Sequence, residues 1–173
     1  MSKSGPIEWM IGPATLADAP AILALQHRAY QSEAALYNDG TIPPLRQTLD
    51  ELLAEFGKVM VLKAEVPDQL VGSVRAHLVG DTAHIGRLIV EPARQGRGIG
   101  SALLRAIECA LPASRYELFT GSRSATNIRL YQRHGYAIYR RSPMPGANQA
   151  ELVFMAKLNV PDSPDINARA AAS

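Results

Sequence analysis

The sequence has one cysteine, few aromatic residues and little net charge, and each shortage excludes a class of protein. Cys109 is the single cysteine among 173 residues, so no disulfide can form within the chain, and a reducing, cytoplasmic location is expected. Aromatic residues make up 6% of the chain, the formal net charge is +2, and no block of lysine and arginine occurs, which argues against a nucleic-acid partner. The sequence also lacks an apolar run of about eighteen residues and a signal-peptide core, so no membrane partner is expected.

What remains is the composition of a globular domain. Hydrophobic residues account for 47% of the chain and charged residues for 20%, enough to bury one sizeable core. We expect a flexible N-terminus over residues 1–6 and a single domain over residues 7–158. Residues 159–173 are rich in proline, aspartate and small side chains, and we expect them to form a mobile tail.

The pattern of apolar residues predicts a mixed sheet with helices packed on it. A short alternating strand comes first, followed by helices over residues 15–30 and 45–56. Three strands joined by tight turns follow, and later strands alternate with helices at 99–111 and 124–134. The predicted order is β-α-α-β-β-β-α-β-α-β-β, an α/β arrangement (an α+β mixed sheet) whose central sheet is mostly antiparallel.

A glycine-rich segment, "VEPARQGRGIG" at residues 90–100, follows the last of the three hairpin strands. Gly96, Gly98 and Gly100 leave backbone N–H groups uncovered just where a helix begins, and Arg94 and Arg97 add positive charge. This arrangement favours a bound pyrophosphate. The Walker pattern is absent, and Ser101 stands where a dinucleotide fingerprint needs its third glycine. The alternative is a tight strand-to-helix connection that binds no ligand.

Two segments together resemble the GNAT superfamily of N-acetyltransferases. "RLIVEPARQGRGIGSALL" is similar to the signature of that family, with Gln95, Gly98 and Gly100 at its defining positions. "TNIRLYQRHGY", at residues 126–136, is similar to the later GNAT segment, which has an asparagine, a tyrosine four residues on and a closing glycine with an aromatic residue. The resemblance covers roughly residues 7–158 and implies the GNAT fold, with acetyl-CoA as the acyl donor and no metal.

The resemblance also implies roles for particular residues. The backbone of Leu88, Ile89 and Val90 would bind the pantetheine arm and the acetyl carbonyl, because in this family the fourth strand bulges and splays from its neighbour. The pyrophosphate would lie in a cradle formed by Gln95, Gly96, Arg97, Gly98, Ile99 and Gly100, to which Ser101 adds a hydroxyl. Asn127 would contact the pantetheine or its cysteamine end. Tyr131, one helical turn further on, would protonate the departing thiolate as general acid.

A general base is less well defined by the sequence. His84 shares a face of its strand with Leu88 and Val90 if the alternation is unbroken, although a bulge would reverse this. Glu33 follows the first predicted helix, where the family builds part of its acceptor site. These two residues are the leading base candidates, and the alternative is that water relays the proton without a dedicated base. Arg75 in the cleft would favour an acceptor that carries a carboxylate.

The function that follows is transfer of an acetyl group from acetyl-CoA to a primary amine, by direct attack in a ternary complex. The amine belongs to a small molecule or to a protein, and many GNAT-like proteins form homodimers. Two alternatives remain open at this point: a non-catalytic module that binds or senses acyl-CoA, and transfer of a longer acyl group. The sequence has no motif of a serine hydrolase or a zinc enzyme, since it has no G-x-S-x-G and its four histidines are not spaced like zinc ligands.

Overall fold

The computed structural model of the protein describes residues 9–146 and 149–159. A 7-stranded sheet has the order β1-β2-β3-β4-β5-β7-β6, and its neighbouring strands are antiparallel except β4 and β5, which are parallel. The predicted mixed, mostly antiparallel sheet with helices packed on it is thus confirmed. The strands are β1 (Met10–Pro13), β2 (Met60–Val66), β3 (Gln69–Val79), β4 (Thr82–Val90), β5 (Arg115–Gly121), β6 (Ala137–Pro143) and β7 (Glu151–Leu158).

Six α-helices accompany the described sheet: α1 (Ala19–Ala29), α2 (Gln31–Tyr37), α3 (Pro43–Arg46), α4 (Leu49–Glu55), α5 (Ile99–Ala110) and α6 (Ala125–Arg133). Among the described residues, none of the helices is both long and apolar enough to cross a bilayer. The expected flexible N-terminus (residues 1–6) and the tail from residue 160 onward lie outside the described residues. Asn159, which we assigned to the tail, donates hydrogen bonds to the carbonyls of Ser114 and Ala113.

The two faces of the sheet carry separate cores. One face, here the α5 face, packs against α5 and α6 through buried residues that include Val74, Ile85, Leu103, Ile107 and Tyr131. The opposite face, the α1 face, is covered by α1 and α4, where the buried residues are Ala19, Ile22, Leu52 and Val61. Because side chains alternate along a strand, β2 contributes to both cores, with Leu62 on the α5 face and Val61 on the α1 face.

The helical segment before β2 differs from the prediction. The expected helix at 15–30 begins as a single 3₁₀ turn, because Thr15 and Asp18 form a reciprocal capping box before α1 starts. The expected helix at 45–56 is two helices, since Thr48 leaves the helical conformation and caps α4, its hydroxyl accepting from the backbone N–H of Glu51. Helix α2 was not predicted.

A bulge on β4 and its divergence from β5 open the cleft of the molecule. Ser73 pairs with Ile89 and Arg75 pairs with Gly86, so that two residues of β4 oppose the single Val74 between them. Parallel pairing with β5 is confined to residues 82–84 against 115–117. Beyond these pairs the strands separate, as the resemblance implied, and leave one edge of β4 from residue 85 to 90 without a strand partner.

Candidate active site

The glycine-rich loop forms an open anion site at the start of α5. Gly96 and Gly98 have φ angles of 75° and 90°, a conformation that favours glycine, and Gly98 is the N-cap of α5. Both glycines are exposed, and a Cβ added to Gly96 would meet no atom within 4 Å. The first N–H groups of this 12-residue helix therefore remain accessible to a phosphate.

Some polar side chains around the loop are exposed, and others have hydrogen-bond partners within the protein. Arg97 is exposed beside the glycines, and Gln95 donates through Nε2 to the carbonyl of Val90 at 3.4 Å. The hydroxyl of Ser101 lies 3.0 Å from Nε2 of His134 at the end of α6. Burial lowers the pKa of His134, so the imidazole is uncharged at neutral pH and can accept the hydroxyl proton. Ser101 thus connects α5 to α6 as well as lying near the loop.

Leu88, Ile89 and Val90 line the open edge of β4. On the β3 side, Ile89 pairs with Ser73 and Val90 with Gly72. Pairing with β5 does not reach any of these three residues, so the backbone of this segment faces the cleft. Strand edges of this kind are suited to binding an extended amide-bearing chain through backbone hydrogen bonds, which is the chemistry of a pantetheine arm.

Across the cleft, side chains from α2, the β5–α6 turn and α6 meet around one carboxylate. Ser124 Oγ lies 2.6 Å from Oε2 and 2.8 Å from Oε1 of Glu33. The side-chain amide of Asn127 lies 3.4 Å from Oε1 of Glu33 and 3.4 Å from the hydroxyl of Thr120. Asn127 and Glu33, both expected in the site from the sequence, are therefore in contact.

Tyr37 at the end of α2 fixes this contact in place. Its hydroxyl accepts a hydrogen bond from the backbone N–H of Arg123 at 3.1 Å and lies 3.3 Å from Ser124 Oγ. The ring of Tyr37 lies so close to Gly121 that a Cβ there would collide with it. Helix α2 thus docks on the β5–α6 turn through a position that only glycine can occupy.

Tyr131 lies one helical turn after Asn127 and is 7% exposed. Burial raises the pKa of its hydroxyl, and the neighbouring Tyr30 and Glu33 raise it further. The phenol therefore stays protonated at neutral pH, as a proton donor must. The electrostatic influence of Glu33 on Tyr131 means that the predicted acid and one predicted base candidate share the cleft.

The other base candidate, His84, lies elsewhere. Its ring stacks on that of His77 at 5.3 Å, and its Nδ1 lies 3.7 Å from Oε2 of Glu117. The expectation that His84 shares a face with Leu88 and Val90 is wrong, because the β4 bulge reverses the alternation between them. His84 lies at the closed end of the cleft, six residues and about 20 Å of strand from Val90.

Arg75 does not point into the cleft as expected. The residue is 4% exposed, and its guanidinium lies 2.9 Å from Oε2 of Glu55, 2.6 Å from Oε1 of Gln26 and 3.2 Å from Oε1 of Gln47. These partners hold it between the sheet and helices α1 and α4. Arg75 is therefore part of a buried polar network rather than a substrate ligand.

The sequence reasoning missed Ser124, Thr120 and Arg87, which all border the cleft. Ser124 and Thr120 carried no signal, since a serine in a turn and a threonine in a strand are ordinary. Arg87 did carry one, because it interrupts the apolar strand "AHIGRLIV" at the first residue of the signature segment. Among the residues that the structure describes, no group of three or more His, Cys, Asp or Glu side chains is placed to hold a metal ion.

Comparison with solved structures identifies the fold. A PaiA N-acetyltransferase from Thermoplasma acidophilum, in complex with coenzyme A, superposes with a TM-score of 0.76 at 17% identity, over 88% of this chain and 99% of that one. The ribosomal-protein-S18-alanine N-acetyltransferase of Escherichia coli gives 0.74 at 17% identity, over 92% and 99%. The protein yncA of Salmonella typhimurium with its cofactor acetyl-CoA gives 0.69 at 23%, over 92% and 99%.

The family comparison agrees with the fold. Residues 55–138 match the model of the Acetyltransferase (GNAT) domain, a span that contains β2 to α6 and hence both the glycine loop and the Asn127–Tyr131 pair. None of the curated proteins matches the sequence. Residues 55–138 therefore match a GNAT acetyltransferase domain, and the chain has the fold of solved GNAT N-acetyltransferases.

Proposed function

We propose that the protein is an N-acetyltransferase that moves the acetyl group of acetyl-CoA to a primary amine by direct attack in a ternary complex. The observation that carries this proposal is the meeting of Glu33, Asn127 and Tyr131 at the cleft between β4 and β5. A protein that only binds acyl-CoA has no need of a buried phenol with a carboxylate near it in the same cleft.

The donor is held by backbone groups on one side of the cleft. The pyrophosphate rests on the helix N-terminus at Gln95, Gly96, Arg97, Gly98, Ile99 and Gly100, with Ser101 at its margin. The pantetheine amides pair with the open edge of Leu88, Ile89 and Val90, and an N–H group of the bulge polarises the acetyl carbonyl. Asn127 contacts the cysteamine end from α6.

The transfer forms a bond between the amine nitrogen and the acetyl carbon and breaks the carbon–sulfur bond. The acceptor must lose a proton before or during attack, and the sulfur must gain one as it leaves. Tyr131 supplies the second proton, since its hydroxyl is kept neutral by burial.

Glu33 receives the proton from the acceptor ammonium, directly or through one water. Its carboxylate is oriented by Ser124 and Asn127, and an ionised carboxylate has about four acceptor positions, more than these two donors occupy. We do not include His84 in the reaction, because the bulge turns it away from Val90 and its ring is engaged by His77.

The proposal is tested by measuring thiol release from acetyl-CoA with a panel of primary amines, together with calorimetry of CoA binding. Amine-dependent release with an N-acetylated product identified by mass spectrometry is the expected result. Tight CoA binding without release on any amine would replace the transferase with an acyl-CoA sensor. No CoA binding at all would overturn the account of the glycine loop. Parallel assays with propionyl-CoA and butyryl-CoA determine the length of the acyl group.

A further inference from the structure

Arg87 occupies the bulge of β4 in a conformation that arginine rarely adopts. Its φ angle is 49°, in the left-handed region that is uncommon for residues with a Cβ. Strained backbone of this kind persists where the surrounding structure dictates it and is frequent at ligand-binding positions. The bulge directs the Arg87 side chain toward the C-terminal end of α1, where its guanidinium carbon lies 5.9 Å from the centre of the Tyr30 ring.

The charge of Arg87 has no carboxylate to balance it. The Nε atom is buried and lacks a hydrogen-bond partner, and within residues 9–146 and 149–159 no aspartate or glutamate lies within ion-pair distance of this arginine. Arg75, nearby on the same face, is paired with Glu55 at 2.9 Å. Burial lowers the pKa of Arg75, and the charge of Arg87 lowers it further. Two guanidinium groups thus repel each other while only one has a carboxylate partner.

Buried charges in proteins are normally paired, because leaving one unpaired is costly. An anionic group that entered the cleft beside Arg87 would meet both an unpaired donor and an uncompensated charge. Arginine is suited to this task because its planar guanidinium binds a carboxylate through two parallel hydrogen bonds.

The position of Arg87 indicates which ligand, the acyl donor or the acceptor, would place an anionic group beside it. It directly precedes Leu88, the first of the residues that we assign to the acyl donor, so the side chain stands at the acetyl end of the donor path. Tyr30 senses the charge of both Arg87 and Glu33. The guanidinium of Arg87 and the carboxylate of Glu33 therefore both lie near the ring of Tyr30. A small molecule that carries one negative and one positive group can contact both.

We propose that Arg87 binds the carboxylate of the acceptor, so that the acceptor is a small amino acid-like molecule with its amine toward Glu33 and its carboxylate toward Arg87. This inference rests on the proposed function, since it names the acceptor class for the same site. It also replaces the sequence-based expectation that Arg75 would fill this role.

The first experiment compares matched acceptors with the unaltered protein. The probes are amino acids in which one to four carbons separate the amine from the carboxylate, each assayed beside its carboxamide. For the best acceptor, kcat/KM is expected to be about ten to a hundred times higher for the acid than for the amide, the range of a charge-assisted hydrogen-bond pair. Equal values for acids and amides, or acetylation of simple alkylamines alone, would overturn the inference and leave the transferase intact.

The second experiment uses the variants R87Q and R87K. R87Q should abolish the preference for the acid, with a raised KM for the acid and a smaller change in kcat. R87K keeps the positive charge but loses the planar guanidinium that forms two parallel hydrogen bonds, so it should retain part of the preference for the acid. The control R105A removes an exposed positive charge from α5 and should change neither value. If Arg87 only stacks on Tyr30, R87Q will lower Tm and leave the acid preference unchanged.

A binding measurement separates failure of this inference from failure of the proposed function. Calorimetry of the same acids and amides is carried out on protein saturated with CoA, where no chemistry can occur. Binding of an acid that R87Q loses supports the Arg87 site even if no amine is acetylated. If amines are acetylated but no acid binds better than its amide, Arg87 has no such role.

Discussion

The hydroxyl of Ser124 donates a hydrogen bond to the carboxylate of Glu33, and its Oγ lies 2.6 Å from Oε2 and 2.8 Å from Oε1. The two residues are 91 positions apart in the sequence, one on α2 and the other at the start of α6. Their contact joins α2 to the β5–α6 turn, where Tyr37 also accepts from the backbone N–H of Arg123 and the Arg123 guanidinium donates to the carbonyl of Leu36. Four predictions test the site that this contact helps to build.

The substitution Glu33→Gln preserves the shape of the side chain and its ability to accept from Ser124, but removes the negative charge. If Glu33 takes the proton from the acceptor, kcat should fall by about 10²- to 10⁴-fold, the usual contribution of a general base. The Kd for acetyl-CoA should stay within about twofold, which calorimetry can check. Glu65→Gln, at an exposed carboxylate on β2, is the matched control and should retain full activity. A similar loss in both variants would show that Glu33 has no special role.

Tyr131→Phe and Tyr136→Phe form a second matched pair. The rings contact each other edge to face at 6.1 Å, but only Tyr131 borders the cleft. Removing the Tyr131 hydroxyl should lower kcat by about a hundredfold or more while CoA still binds. Removing the Tyr136 hydroxyl, which donates to Glu108 at 2.6 Å, should lower the free energy of unfolding by about 1.5–3 kcal/mol and leave kcat unchanged. Full activity in Tyr131→Phe would disprove the acid role.

Gly98→Ala tests the glycine loop. A Cβ at a φ of 90° costs about 1–3 kcal/mol of backbone strain, and it would crowd the N–H groups that bind phosphate. We expect the free energy of unfolding to fall and the Kd for CoA to rise at least tenfold. Gly80→Ala places the same kind of strain, at a φ of 59°, in the β3–β4 turn. That variant should lose stability alone, and a weaker CoA affinity in it would mean that the loop is not the binding site.

His134 should make stability depend on pH. Burial lowers the pKa of its imidazole below the usual 6.5, so the unfolded chain binds a proton more readily than the folded protein as the pH falls below about 6.5. The free energy of unfolding should therefore be highest above that pH. It should decrease as the pH falls, until the imidazole of the folded protein is also protonated. Urea unfolding of His134→Gln between pH 7.5 and 4.5 should show a shallower decrease. An unchanged slope would exclude His134 as its source.

The glycine loop and the Asn127–Tyr131 pair were readable from the sequence because their geometry is local. Positive φ at Gly96 and Gly98 follows from residue type at a strand-to-helix junction. Asn127 and Tyr131 face the same way because four residues make about one helical turn. Neither inference needs a contact between distant segments.

The misplaced residues depended on contacts that the sequence does not encode locally. His84 was set on the wrong face because one extra residue in β4 reverses every side chain beyond it. Arg75 was expected to meet a substrate carboxylate, whereas in the structure it donates to Gln26 inside the core at 2.6 Å. A polar group can be buried wherever a partner exists, and partners come from remote segments.

The sequence by itself determined the succession of strands along the chain, the glycine-rich start of α5 and the spacing of an asparagine and a tyrosine on α6, because apolar periodicity, glycine and helical spacing act within a few residues. The tertiary structure decided which carboxylate lies near Tyr131 and which arginine has no carboxylate partner. Those outcomes depend on how α1 and α2 dock on the sheet and on a single bulge in β4. Burial and pairing of charge are properties of the packed chain, and no local pattern fixes them.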